Sequence, residues 1–390
     1  MKTQQQHLLI SSVLVFASTI VPSTLGQHYN AIFSFGDSLA DTGNLVNMVD
    51  PDKLPHAGFP PYGSTYFHRP TGRYSDGRLV IDFIAEYVGL PFLPPYFGKG
   101  EHNFQQGVNF AVSGATALDF GFLEERGIYN PGTNNSLNVQ VQWFKNLLPS
   151  LCSTPSGCSE VLRHSLIVMG EIGGNDYNYA FFQRIDVKEI RKLVPLVVNA
   201  IALAIKDLIE LGAVTILVPG NFPLGCIPSF LTDYKSSHKE DYDPVTGCIN
   251  WLNEFSEYHN EQLKLEQTNL RELYPHVNII YADYYNAAMQ IYESPDQFGF
   301  TPGEVLKACC GSGGPYNFNP PLLCGYQTVT SCDDPSSYAS WDGLHFTEAA
   351  YRLVAKSIIE GTYALPYLHI PRHICPSIMK SNQMHTVKDI

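Results

Sequence analysis

No run of five basic residues occurs in this chain, and its balance is acidic: 24 Lys and Arg stand against 37 Asp and Glu, a formal net charge of −13. A surface of that sign argues against nucleic acid or an anionic membrane as a partner. No stretch after residue 21 is apolar for long enough to span a bilayer, so no integral membrane segment is expected in the mature chain. The cysteines include no C-x₂-C pair with partnering histidines, which leaves no zinc-site spacing. No internal repeat and no interdomain linker divides the sequence.

What is present begins with a leader. Lys2 precedes an apolar run at 8–21, and Thr24-Leu25-Gly26 offers small residues at the −3 and −1 positions of a cleavage site. Residues 1–26 therefore read as a secretory signal peptide, too short to be a membrane span. Residues 27–371 read as one domain, and 372–390, without periodicity, as a disordered tail. Behind a signal peptide, eight of the nine cysteines are expected to pair. Cys152 with Cys158 and Cys226 with Cys248 are the expected local pairs. Cys309 and Cys310 pair with Cys324 and Cys332 in an order the sequence leaves open, and Cys375 is left over. Asn134-Asn135-Ser136 is an N-x-[ST] sequon among Gly, Pro and Asn, which makes Asn134 a candidate glycan site on an exposed loop.

Strand-like and helix-like segments alternate. Apolar runs at 31–35, 165–169, 214–218 and 277–282 have strand length. Helical spacing covers 77–87, 188–211, ended by Gly212, and 253–274, stopped by Pro275; Thr347 can cap a last helix reaching about Gly361. Such alternation predicts an α/β fold with a mainly parallel sheet covered by helices on both faces. Two stretches break it, a Pro/Gly/Tyr/His-rich one at 51–76 and a Gly/Pro/Cys-rich one at 295–340, and both are expected as long loops over the sheet.

The first strand runs directly into Gly36-Asp37-Ser38, which sets a hydroxyl at the carboxyl end of a strand, where open α/β sheets build their active sites. Some 300 residues later, Trp341-Asp342-Gly343-Leu344-His345 places a carboxylate and an imidazole three residues apart. Asp342 can fold back within one turn onto Nδ1 of His345, which leaves Nε2 to deprotonate Ser38. These are the parts of a Ser-His-Asp site for acyl transfer, which also needs donors for a tetrahedral oxyanion. The Asn175 amide in Gly173-Gly174-Asn175-Asp176, the backbone N–H of Gly114 in Ser113-Gly114-Ala115, and the N–H of Ser38 are the candidates. Glu171 and Asp176 read as hydrogen-bonding groups beside the site, and Asp37, Asp41, Thr42 and Asn44 as structural groups of the turn.

Four ordered stretches resemble the sequence blocks of the GDSL esterase/lipase family, the SGNH hydrolases, in its plant branch. Gly36-Asp37-Ser38-Leu39, continued by Asp41-Thr42-Gly43-Asn44, is similar to the first block. Asn109-Phe110-Ala111-Val112-Ser113-Gly114-Ala115 resembles the second, Gly173-Gly174-Asn175-Asp176 the third and Asp342-Gly343-Leu344-His345 the fifth. The likeness covers nearly all of 30–365, and the Gly-x-Ser-x-Gly elbow of the other large esterase class is absent. The resemblance implies a three-layer α/β/α, flavodoxin-like fold. It implies Ser38 as nucleophile, His345 as base, Asp342 as its orienter, and an oxyanion hole from Ser38, Gly114 and Asn175. It implies a carboxylic ester hydrolase of the secretory pathway, apoplastic or vacuolar, that takes a small-molecule ester and requires neither metal nor cofactor. An acyltransferase of specialised metabolism on the same site is the alternative. A non-catalytic secreted binding protein is a distant third.

Overall fold

The computed structural model describes residues 29–100 and 103–368. The leader at 1–26, the tail at 372–390 and Cys375 lie outside the described residues. Six strands form the main sheet: β1 (Ala31–Ser34), β2 (Gly107–Asn109), β3 (Ser165–Val168), β4 (Thr215–Pro219), β5 (Asn278–Ala282) and β8 (Ala364–Leu365). Their order across the sheet is β2-β1-β3-β4-β5-β8. The first five pair in parallel, with Phe33 opposite Val108 on one side and Ile167 on the other, and the two-residue β8 closes the edge antiparallel to β5. β1 and β3 are buried along their whole length, as expected where helices cover both faces.

The helices pack in two sets. Glu348–Ile359 packs against both Val80–Val88 and Tyr284–Glu293, and Leu137–Leu151, Pro155–Arg163, Val194–Leu211 and Asn250–Leu273 form the other group. The result is the expected three-layer α/β/α arrangement. Phe33, Phe35, Phe110 and Phe144 meet between the sheet and the second set, with ring centroids 5.0–5.7 Å apart.

Several details differ from the sequence reading. The helix expected over 188–211 is two, Val187–Arg191 and Val194–Leu211. Pro195 has no N–H to continue the first and instead sits in the first turn of the second. The helix expected from 77 begins at Val80, where Asp82 reaches back to the Leu79 N–H at 2.9 Å. β2, three residues long, and the helices at 137–151, 155–163, 174–182 and 284–293 are additions to that reading.

Four disulfides form: Cys152–Cys158, Cys226–Cys248, Cys309–Cys332 and Cys310–Cys324. The last two resolve the order that the spacing left open. They lie in a small second core with Ala57, Tyr62, Val329 and Trp341, where the two long loops meet. A short hairpin, β6 (Cys310–Gly311) with β7 (Thr330–Ser331), spans this cross-linked region. The Cys310 N–H donates to the Trp341 carbonyl at 2.7 Å, and that of Cys309 to Ser340 at 2.9 Å. The stapled loop is thereby hydrogen-bonded to the segment that carries Asp342 and His345.

Candidate active site

The strand order reverses at β1, which has β2 on one side and β3 on the other. Open α/β sheets bind ligands in the crevice at such a point, beyond the carboxyl ends of the strands. The segments that follow β1, β2 and β3 carry Ser38, Gly114 and Asn175 to it.

The turn after β1 is held from several directions. Gly36 has φ +140°, and a Cβ there would come within 2.9 Å of the Glu171 carbonyl, so this position requires glycine. The Gln140 amide clamps it, accepting from the Gly36 N–H at 2.9 Å and donating to its carbonyl at 2.8 Å. Asp41 accepts from the N–H groups of Gly43, Asn44, Leu45 and Ser113. Asn44 donates to the Asn109 and Ala111 carbonyls and so ties the turn to the end of β2.

Ser38 is 8 % exposed, and its Oγ lies 2.8 Å from Nε2 of His345. Nδ1 of His345 lies 2.7 Å from Oδ2 of Asp342. An ionised carboxylate only accepts, so Nδ1 carries the ring proton and Nε2 is left to accept from Ser38. Oδ1 of Asp342 accepts from the N–H groups of Leu344 (2.9 Å) and His345 (2.8 Å). Burial alone would raise the Asp342 pKa, but the facing His345 imidazole and these hydrogen bonds outweigh it and hold the carboxyl below its ordinary value. The loop ends where the Thr347 hydroxyl caps the helix Glu348–Ile359.

Gly114 has φ +81°, and a Cβ there would meet the Tyr179 hydroxyl at 2.8 Å. The Gly114 carbonyl accepts from that hydroxyl at 3.0 Å and from Nδ2 of Asn130 at 3.2 Å. Among the described residues, neither the Gly114 N–H nor the Ser38 N–H donates to a protein acceptor. Asn175 lies in the first turn of the helix Gly174–Phe182 rather than in a loop. Its Nδ2 is 3.0 Å from Oδ2 of Asp37 and 3.0 Å from the Ala115 carbonyl, so both amide hydrogens have acceptors at rest.

A second group of carboxyls lies behind Asn175. Asp37 and Glu171 are buried with their carboxyls facing, and the Asp37 N–H donates to the Glu171 carbonyl at 3.1 Å. Burial first, and the facing Glu171 carboxyl second, push the Asp37 pKa well above its ordinary value. Two carboxyls so placed titrate as a unit, each disfavouring the charged form of the other. Asp176 accepts from the Ala117 and Leu118 N–H groups, yet burial still carries its pKa up to about 7.

The structure thus brings Ser38, His345 and Asp342 into one hydrogen-bonded chain and sets Gly114 and Asn175 beside it. Asn134 is exposed on the loop before the helix Leu137–Leu151 and takes no part in the cluster. Tyr62 was not foreseen. It comes from the long loop at 51–76, and its hydroxyl donates to Oδ2 of Asp342 at 2.8 Å. Tyr74, from the same loop, lays its ring 4.6 Å from that of His345. Neither stands in a periodic segment, and the aromatic richness of that loop was the only available signal. Among the described residues, no group of His, Cys, Asp and Glu is placed to hold a metal, and no helix is long and apolar enough to cross a membrane.

A serine, histidine and aspartate chain at the switch point of a parallel sheet is the geometry of a serine-dependent acyl-transferring hydrolase. The chain belongs to the GDSL-like lipase/acylhydrolase family, whose sequence model matches residues 32–358. It is similar to Arabidopsis thaliana GDSL esterase/lipase At1g28580, 55 % identical over 91 % of this chain and 92 % of that one. GDSL esterase/lipase At1g28590 of the same plant is 56 % identical over 92 % and 89 %. At1g31550, also a GDSL esterase/lipase of that plant, is 53 % identical over 94 % of both chains.

Proposed function

We propose that this protein is a carboxylic ester hydrolase of the plant secretory pathway that works through an acyl-Ser38 intermediate. The observation that carries the reading is the unbroken chain from Ser38 Oγ through His345 to Asp342, at 2.8 and 2.7 Å. Ser38 Oγ attacks the ester carbonyl carbon while Nε2 of His345 takes its proton. Asp342 holds Nδ1–H and stabilises the imidazolium. Collapse of the tetrahedral intermediate expels the alcohol, which receives its proton from His345. A water, deprotonated by the same nitrogen, then attacks the acyl carbon and releases the acid and Ser38.

The oxyanion falls to the N–H groups of Ser38 and Gly114 and to Asn175. Asn175 must first release one acceptor. The Asp37 oxygen is the one given up, because burial and then the Glu171 carboxyl disfavour its charged form, and a less charged carboxyl is the weaker acceptor. The helix Gly174–Phe182 adds the positive end of its dipole on the same side. No metal or cofactor enters this scheme. In the same reading residues 27–371 form one catalytic domain behind a leader at 1–26, the product is apoplastic or vacuolar, and the exposed Asn134 carries a glycan.

The test is Ser38→Ala, assayed with a panel of acetyl, hydroxycinnamoyl and long-chain esters, with and without acceptor alcohols. Turnover should fall by roughly 10³-fold or more, and a fluorophosphonate should label the parent at Ser38 alone. Near-normal turnover by the variant would refute the mechanism. New ester exceeding free acid at millimolar acceptor would replace hydrolysis by acyl transfer.

A further inference from the structure

We propose that Tyr62 is a positioning residue for the reaction, setting the basicity of His345 through Asp342; this rests on the assignment of Ser38, His345 and Asp342 above. Oδ2 of Asp342 receives two donors, Nδ1 of His345 at 2.7 Å and the Tyr62 hydroxyl at 2.8 Å. With the two backbone N–H groups on Oδ1, each oxygen of the carboxylate has two partners. The carboxylate is fully satisfied only when Tyr62 is in place.

The loop at 51–76 is built to hold that hydroxyl. Tyr62 is 2 % exposed, and its ring lies edge-on to Trp341 and to Tyr74, with centroids 5.9 and 6.0 Å away. Its N–H donates to the Phe59 carbonyl at 3.2 Å, and the next N–H, of Gly63, to Ser75 at 3.0 Å. The second core places it against the cross-linked loop, so the two long loops converge on this one contact. Burial, and after it the Asp342 charge, keep the phenol protonated far above its ordinary range, so it acts only as a donor toward Asp342.

The consequence for His345 has a definite sign. A donor on Oδ2 draws off part of the negative charge that faces Nδ1–H. Removing it leaves that oxygen more negative and favours the imidazolium over the neutral ring. Other groups face the pair. His56 faces Asp342 with its pKa lowered by burial against the pull of that charge, Tyr74 lies against the imidazole, Ser38 caps Nε2, and Tyr351, on the helix Glu348–Ile359, is buried near Asp342 with its pKa raised well above the ordinary value by burial. Of these, Tyr62 is the one whose hydroxyl bonds the oxygen that holds the ring.

Tyr62→Phe keeps the ring and deletes only the hydroxyl. The acid limb of kcat/KM, which reports the essential base of the free enzyme, should move up by roughly half a pH unit. On the plateau, kcat should fall between about threefold and thirtyfold, part of what a hydrogen bond to a charged group is worth, with KM little changed. Ser38→Ala is run in the same series with an activated ester. An acid limb in Tyr62→Phe that coincides with the parent's overturns the proposal, even if the melting temperature falls, because packing alone would do that. A shift of the limb downward overturns it as well. Activity surviving in Ser38→Ala overturns the underlying assignment instead, and the two failures are distinguishable on one plate.

Discussion

Two buried carboxyl groups flank the nucleophile, and they behave oppositely. Asp342 and Asp37 are each almost wholly out of solvent. Asp342 receives two backbone N–H groups, a phenol and an imidazole, and burial loses to them: its pKa is lowered. Asp37 receives the Leu39 N–H and the Asn175 amide but faces a second carboxyl, and burial wins: its pKa is raised. Depth alone therefore does not set charge; the number and sign of the groups around each oxygen do. The arrangement suits the proposed chemistry, since one side must carry a fixed negative charge against an imidazolium. The other must not repel a developing oxyanion.

The largest expected effect comes from removing the charge on the first side. In Asp342→Asn, an amide N–H turned toward Nδ1 would favour the tautomer with the proton on Nε2. That nitrogen could then no longer take the Ser38 proton, and kcat/KM should fall by roughly 10³–10⁴-fold, as for the analogous change in other serine triads. Steady-state kinetics on a purified, folded variant decide it, and a loss under tenfold would mean that Asp342 only shapes the loop. On the second side, Asn175→Ala removes the group that must exchange Asp37 for the oxyanion. kcat should drop by roughly 10²–10³-fold at little changed KM. A change confined to KM would make Asn175 a substrate-binding residue and leave the two carboxyl environments functionally unrelated.

The two sides were unequally legible from sequence. Asp342 and His345 lie within one turn of chain, and Ser38 closes a strand, so local chemistry sufficed to assemble them. The parallel sheet was readable because its longer strands are continuous apolar runs between periodic helices. β2 was not, since three residues starting at a glycine make no pattern. The helix Gly174–Phe182 was hidden for a related reason: it opens on Gly-Asn-Asp, a turn composition, and is held by Asp176 and tertiary packing rather than by periodicity. Tyr62 and Gln140 act across 280 and 104 residues of chain, and no local signal marks such contacts. That Asn175 rests on Asp37 likewise follows only from the fold.

The smallest effect on rate, and the sharpest test of the comparison, is Glu171→Gln. In the parent, burial raises the pKa of both Asp37 and Glu171, and the facing Glu171 carboxyl raises that of Asp37 further. In the variant, the introduced amide can keep the Gly174 N–H on its oxygen, a contact that Glu171 makes at 3.2 Å, and donate its NH₂ to Asp37, which favours the charged form of Asp37 against burial. Any charge gained by Asp37 makes it a stronger acceptor for the Asn175 amide, which must leave it for the oxyanion, so kcat should fall by roughly threefold to tenfold, the strengthening of one hydrogen bond. Stability should respond differently. Both carboxyls of the pair have pKa values raised on folding. The folded protein therefore holds more protons than the unfolded chain above the ordinary carboxylate range, and stability is lost as pH rises through that window. Asp176 adds to the same trend between its ordinary 3.8 and about 7. Asp342, with its lowered value, gives the opposite slope, losing stability as pH falls below the ordinary range. Replacing Glu171 removes its own titration and its charge beside Asp37 and Asp176, and should flatten the decline on the neutral side in part, burial still raising both, while leaving the acid side intact. Urea unfolding of parent and variant from pH 4 to 8 measures this directly. Parallel curves over that range would show that the pair ionises as two ordinary carboxyls, and the contrast with Asp342 would fail.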